Sequence, residues 1–381
     1  LVLVLLFMVA WVVIPAPNRH FWLLSVGVGE WSLWFGALAL LCVAAGISIR
    51  LSNGEGWLWI ATAVIGAAVI AITLYPLFSV LPLARKYQVP LSLRRYFTGW
   101  PAKDFFFGYQ AKDLKTHIFI PADGNDLRLD VYLPTAHTVN NGASVVVVHG
   151  GSWNGGARSD FPRWNQWLAA RGFTVFDVDY RLSPQPNYLT AAGDVKCAVR
   201  WVKRHAAEFG IDPGRIALLG RSAGAQLALL AAYSAPHIAA GDGNENVRAV
   251  VSFYGPVDLL WAYECRGKPR VHDGPGSLEN FLGGVPHESV EMRERYILTS
   301  PIAHIGVHTP PTLMTHGGRD LLVSYLNMFF LEEKLKAANV PHETLFIPYG
   351  QHGFDYHING WGSQVVGSVL LRFLSEHTKA V

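Results

Sequence analysis

Arg215-Ile216-Ala217-Leu218-Leu219-Gly220-Arg221-Ser222-Ala223-Gly224-Ala225 decides how the rest of this chain is read. An apolar strand over Arg215–Leu219 runs into a glycine-flanked serine, and an apolar helix from Ala225 through Tyr233 follows. A serine on so tight a strand-to-helix turn takes a strained backbone conformation, and a bulky side chain two residues to either side would clash. Glycine at 220 and 224 removes both clashes and leaves the hydroxyl exposed above a sheet. In a chain with 37 glycines the pattern could arise by chance. Its position between a strand and a helix argues otherwise, and makes Ser222 the candidate nucleophile.

Apolar runs alternate with helical stretches from His117 onward. The expected strands are His117–Pro121, Leu127–Leu133, Ser144–His149, Phe173–Asp179, Arg215–Leu219, Val247–Tyr254, Thr312–His316 and Glu343–Pro348. Continuous runs such as Val145 to Val148 suit strands buried on both faces of a parallel sheet. Between them, Val195, Ala198, Val199 and Val202 make one helical stripe, with Lys196, Arg200, Lys203 and Arg204 opposite. The alternation predicts an α/β sheet with helices on both faces, its site at the carboxyl ends of the strands.

The chemistry-bearing residues fall at those ends. His149-Gly150-Gly151-Ser152-Trp153 follows the third strand, where paired glycines let backbone N–H groups turn toward a developing oxyanion. Gly150, Gly151 and Ala223, the residue after the serine, are the candidate donors, and Trp153 is a candidate pocket wall or an ordinary core aromatic. A serine hydroxyl also needs a base, and the base an orienting acid. Among 15 histidines, His352 lies in the turn Tyr349–Phe354 just after the last strand. His357 and His377 come later, and the turns after His149 and His316 are expected to aim those rings elsewhere. Asp320, after the preceding strand, is the candidate acid, with Asp258 one strand earlier as its rival.

Composition divides the chain. Of 381 residues 51% are hydrophobic and only 15% charged, against about 25% charged in ordinary soluble domains. Before Arg85 the charged residues are Arg19, Glu30, Arg50 and Glu55. Uncharged runs over 31–49 and 57–84 reach the roughly 20 residues that cross a bilayer core. A third, shorter run, Leu1 to Ile14, stops at Pro15 and Pro17. The expected organisation is a membrane region over 1–84 with about three transmembrane helices, an amphipathic connector over 85–116, and a globular domain over 117–381. Glycine-rich residues 261–300 interrupt the alternation and read as a cap over the strand ends. Aromatics among basic residues in the connector suit a headgroup surface, or else cap the globular domain. A net charge of +3 does not argue for nucleic acid, and Cys42, Cys197 and Cys265 form neither a disulfide framework nor a metal motif.

His149–Trp153, Asp179–Pro184, Gly193–Lys196, Ile211–Ile216, Gly220–Gly224 and Tyr349–Phe354 together resemble the hormone-sensitive-lipase-like carboxylesterases and the related feruloyl/acetyl-esterase-type (BD-FAE-like) hydrolases. The order Ser222, Asp320, His352 is that of α/β-hydrolases. The resemblance covers about residues 117 to 377. It implies the α/β-hydrolase fold, carboxylic-ester hydrolysis without a cofactor, a triad of Ser222, Asp320 and His352, and an oxyanion hole at Gly150, Gly151 and Ala223. Three features depart from the pattern: Ala225-Gln226 replaces a second glycine, Ser183 stands where alanine is usual, and Gln185 where glutamate is usual. The His-Gly-Gly-x-Trp and Ser-Ala-Gly-Ala pair is also similar to the arylformamidases.

The expectation is a multi-pass, membrane-anchored serine esterase acting on short or medium acyl esters, small or lipid-like. Arylformamidase-type amide hydrolysis, acyl transfer, and an inactive domain used as a binding module are the alternatives. Arg85, Lys86, Arg94 and Arg95 after the last apolar run outnumber the single basic residue in each earlier loop, which predicts a cytoplasmic hydrolase domain.

Overall fold

Strands with no polar face must be covered on both sides, and that requirement shapes the sheet. The computed structural model describes residues 1–53, 56–98, 114–121, 124, 126–135, 137–183, 187–235, 244–265 and 270–380. Eight strands form one sheet: β1 (Lys115–Phe119), β2 (Leu127–Tyr132), β3 (Ser144–Val148), β4 (Thr174–Val178), β5 (Ile216–Arg221), β6 (Ala249–Phe253), β7 (Thr312–Gly317) and β8 (His342–Ile347). Their order is β1-β2-β4-β3-β5-β6-β7-β8. β1 and β2 pair antiparallel, as do β2 and β4, and every later pairing is parallel. Each expected strand is present, with no end shifted by more than two residues.

One face is covered by α7 (Tyr188–Arg204), α8 (Ala223–Tyr233) and α12 (Leu326–Ala337), the other by α6 (Pro162–Ala169) and α13 (Trp361–His377). The α7 stripe Val195, Ala198, Val199 and Val202 is buried as its spacing predicts. Lys196, expected on the solvent side, is buried too, and its ammonium donates to the Ala235 carbonyl at 3.0 Å. Between β6 and β7 the chain forms α9 (Leu259–Glu264), α10 (Gly274–Leu282) and α11 (Val290–Leu298).

Ahead of the sheet lie α1 (Val2–Ala10), α2 (Arg19–Glu30), α3 (Ser32–Asn53), α4 (Leu58–Lys86) and α5 (Leu93–Thr98). The first apolar run yields only the nine-residue α1, because Pro15 and Pro17 follow it. Asn18 then caps α2, its side-chain oxygen accepting from the N–H groups of His20 and Phe21. α3 and α4 are the two helices long and apolar enough to cross a membrane among the described residues. Few of their side chains are fully buried, unlike those of a soluble core helix.

These helices pack on the sheet domain. Tyr96 of α5 stacks on Trp361 at 4.5 Å, and its hydroxyl donates to the Glu30 carbonyl at 2.9 Å. Gln364 of α13 accepts from the Ser92 N–H at 2.8 Å and donates to the Ser92 carbonyl at 3.1 Å. Of the connector aromatics, Tyr96 and Phe97 therefore join the core beside α13. Trp100, Phe105, Phe106 and Phe107 lie outside the described residues.

Candidate active site

β5 delivers Ser222 to the top of the sheet, and the turn into α8 holds it at φ 54°, ψ −122°. A left-handed φ costs a non-glycine residue on the order of 1–3 kcal/mol, so surrounding contacts must enforce it. They do so by close approach. A Cβ on Gly220 would overlap the Gly224 carbonyl, and one on Gly224 would overlap the backbone of Val148 and His149. Both glycines are needed for the turn to close.

Ser222 Oγ lies 2.9 Å from His352 Nε2, and His352 Nδ1 lies 2.7 Å from Asp320 Oδ2. Since the carboxylate only accepts, Nδ1 carries the proton and Nε2 is left to accept from the serine. Asp320 Oδ1 takes two further N–H groups, Leu322 at 2.8 Å and Val323 at 2.9 Å. Burial alone would raise the Asp320 pKa. The His352 charge and the hydrogen bonds from His316 and His352 outweigh it and hold the carboxyl well below the usual range.

His316, whose ring was expected to point elsewhere, reaches the same carboxylate. Its Nε2 lies 3.1 Å from Asp320 Oδ2 and 3.0 Å from the Val323 carbonyl. Both partners accept, so this nitrogen donates. Asp258, the rival acid, serves elsewhere, capping α9 by accepting from the Trp261 N–H at 3.0 Å. His357 is stacked against Trp31 of the N-terminal helices, 5.3 Å away.

Opposite the serine, the turn after β3 presses on the elbow. A Cβ on Gly150 would stand 3.0 Å from the Arg221 carbonyl and 3.2 Å from Ser222 Cβ. Gly151 (φ 117°), Ser152 (φ 53°) and Trp153 (φ 60°) continue in left-handed conformations. The strain is held by several bonds. Ser183 donates to the Trp153 carbonyl from its N–H at 2.9 Å and its hydroxyl at 3.2 Å. Tyr180 donates to the His149 carbonyl at 3.2 Å. Trp153 stacks on Phe281 of α10 at 4.7 Å, and its Nε1 donates to Gln226 at 2.9 Å. Gln226 donates in turn to the Thr299 carbonyl at 2.8 Å. Two departures from the family pattern, Ser183 and Gln226, thus brace this turn; Gln185 lies outside the described residues. Ala223 opens α8, where a first-turn N–H has no partner within the helix.

A cavity of about 350 Å³ opens over Ser222 and Ala223. Trp153 lines it on one side, Leu321 to Tyr325 on another, and Trp261, Cys265, His272 and Leu278 from the α9–α10 region form its roof. Trp153 is therefore both buried core and cavity wall.

Sequence reasoning missed a buried ion pair under the elbow. Arg221 Nε donates to Asp355 Oδ2 at 2.7 Å with both side chains almost fully enclosed. Tyr254 donates to the other carboxylate oxygen at 2.7 Å, and its ring lies 4.4 Å from that of His352. The guanidinium also lies over the rings of Phe161 and Phe253, at 4.2 and 4.7 Å. The pair ties the residue before the nucleophile to the loop that carries His352. A charged residue inside an otherwise apolar elbow was the available signal.

Comparison with known proteins agrees with this fold. The chain is 30% identical over 214 residues to a probable carboxylic ester hydrolase, LipM, of Mycobacterium tuberculosis, covering 55% of this chain and 48% of LipM. Esterase LipQ of the same organism is 30% identical over 249 residues, covering 61% and 55%. The chain spans about half the length of these curated relatives. Among solved structures, the thermophilic esterase Est2 of Thermogutta terrifontis is 27% identical with a TM-score of 0.56, covering 70% of this chain and 92% of that one. The BD-FAE family matches residues 129–335, more than half the chain and nearly all of the parallel sheet. With the α/β-hydrolase sheet order and the elbow as observed, this chain belongs to the BD-FAE family.

Proposed function

We propose that this protein is a membrane-anchored serine hydrolase of carboxylic esters. The observation that carries the reading is the unbroken hydrogen-bonded chain Asp320–His352–Ser222 beneath an open cavity. Ser222 Oγ attacks the ester carbonyl carbon while His352 Nε2 takes its proton, and Asp320 holds the imidazole and stabilises its charged form. The carbonyl oxygen becomes an oxyanion facing the N–H groups of Gly150, Gly151 and Ala223. Such a donor is typically worth about 10²–10³ in rate. Collapse expels the alcohol with the proton from His352, and water repeats the sequence to free the acid.

The cavity volume suits short or medium acyl groups better than a long chain wholly enclosed. The length and apolar character of α3 and α4 support their being the anchor, and the positive-inside count favours a cytoplasmic hydrolase domain. Ser222→Ala should abolish hydrolysis of p-nitrophenyl acetate and labelling by a fluorophosphonate while the far-UV spectrum stays that of the wild type. Full labelling of the variant would refute the assignment. Parallel assays on p-nitrophenyl octanoate and N-formylkynurenine separate the esterase from an amidase with the same machinery.

A further inference from the structure

The N-terminal helices do more than tether the sheet domain, because their contacts fall on the rim of the candidate site. α1 buries Leu5 and Val9 against α3 and α4 and leaves Leu3, Val4 and Phe7 uncovered. That apolar row continues past the end of α1 to exposed Val13 and Ile14. There the Val13 carbonyl accepts from Arg319 Nη2 at 2.6 Å, one residue before Asp320. A few residues on, the Arg19 N–H at the start of α2 donates to the Arg270 carbonyl at 3.1 Å. Two residues past Arg270, His272 lines the cavity roof. Burial first, then the charge of His352, hold His272 below the usual imidazole range. At its other end α2 sets Glu30 against Tyr349 and Gly360, on the His352 loop. The α1–α2 turn and the first residue of α2 thus bond to residues next to two lining segments of the cavity, Arg319 beside Asp320 and Arg270 near His272, and an uncovered apolar helix face leads to that turn.

Resting on the esterase reading above, we propose that the substrates are esters of membrane-resident amphiphiles, which enter the cavity from the bilayer along α1 and the Val13–Ile14 turn. The ester reaches Ser222 at the membrane surface while the rest of the chain stays in lipid, so a cavity too small for a whole long-chain ester is sufficient. A water-soluble ester would reach the same serine without using this route.

The test uses the full chain reconstituted in phosphatidylcholine vesicles, with p-nitrophenyl acetate as the soluble ester and 4-methylumbelliferyl oleate as the bilayer-resident one. Hydrolysis of the oleate should follow its mole fraction in the membrane, falling in proportion when phospholipid is added at constant bulk concentration. The acetate rate should not respond. Val13→Asp with Ile14→Asp puts charge on the apolar route and should lower the oleate rate about tenfold or more, since charge is disfavoured in lipid surroundings. Acetate hydrolysis should be unchanged, which also reports that the variant is folded. An oleate rate insensitive to lipid dilution, or equal loss on both esters in the variant, would overturn the proposal. Wild-type protein that hydrolyses neither ester and takes no fluorophosphonate would instead overturn the esterase reading beneath it.

Discussion

Replacing Asp320 by asparagine tests the triad more sharply than deleting the nucleophile, because the hydrogen bonds dictate how the amide must sit. Asp320 Oδ1 accepts two backbone N–H groups, from Leu322 and Val323. The introduced amide must keep its carbonyl oxygen there, since the opposite flip would set an NH₂ against two donors. The NH₂ then replaces Oδ2 and faces His352 Nδ1 and His316 Nε2. To accept from it, His352 must move its own proton to Nε2, where it points at Ser222 and can no longer take the serine proton. The geometry survives in the wrong tautomer, and kcat should fall about 10⁴-fold, or roughly 5 kcal/mol in the barrier. Asp258→Asn is the matched control. Asparagine caps a helix as well as aspartate, so the bond to Trp261 N–H persists and kcat should be nearly unchanged. Steady-state hydrolysis of p-nitrophenyl acetate measures both. A loss below about 100-fold for Asp320→Asn, or an equal loss for Asp258→Asn, would refute the reasoning.

Arg221→Met leaves Asp355 buried without its cation and should destabilise the fold by about 3–5 kcal/mol in denaturant unfolding; a cost under about 1 kcal/mol would show that the pair is dispensable. Because the Asp320 carboxyl is held below its unfolded value, its contribution to stability is complete above about pH 4 and is lost as pH falls below that. Melting curves between about pH 3 and 5 should therefore be steeper in pH for the wild type than for Asp320→Asn. A phosphatase active only outside the cytoplasm, fused after the last residue, should give no signal, while a cytosol-active reporter there should give one.

What the sequence made legible follows the range of the interactions involved. The strands were readable because burial on both faces demands unbroken apolar runs, as in Ser144–Val148. The elbow was readable because its constraint is local, two glycines against the adjoining backbone. Asp320 was favoured over Asp258 by its place after the penultimate strand, although the capping bond that occupies Asp258 appears only in three dimensions. His316 was misjudged because ring direction depends on how the turn after β7 folds back, bringing Val323 within reach of the same nitrogen. Arg221 and Asp355 lie far apart in the chain, and no periodicity links them. The antiparallel pairing of β1 and β2 with the rest was equally silent, because register across an edge is set by partners rather than by composition.

Topology and packing converge on one constraint. If α3 and α4 both span, the chain crosses twice between Glu30 and Arg85, so α2 and the sheet domain must share a side of the membrane. The contacts require the same arrangement: Arg19 meets Arg270, the Glu30 carbonyl meets Tyr96, and Trp31 stacks on His357. Neither requirement depends on whether Leu1 to Ile14 crosses the bilayer, so the short α1 leaves the arrangement unchanged. It also explains why Arg85, Lys86, Arg94 and Arg95 cluster where they do. With both helices spanning, these basic residues follow the second span on the side that α2 and the sheet domain share, the side on which the positive-inside count would set them.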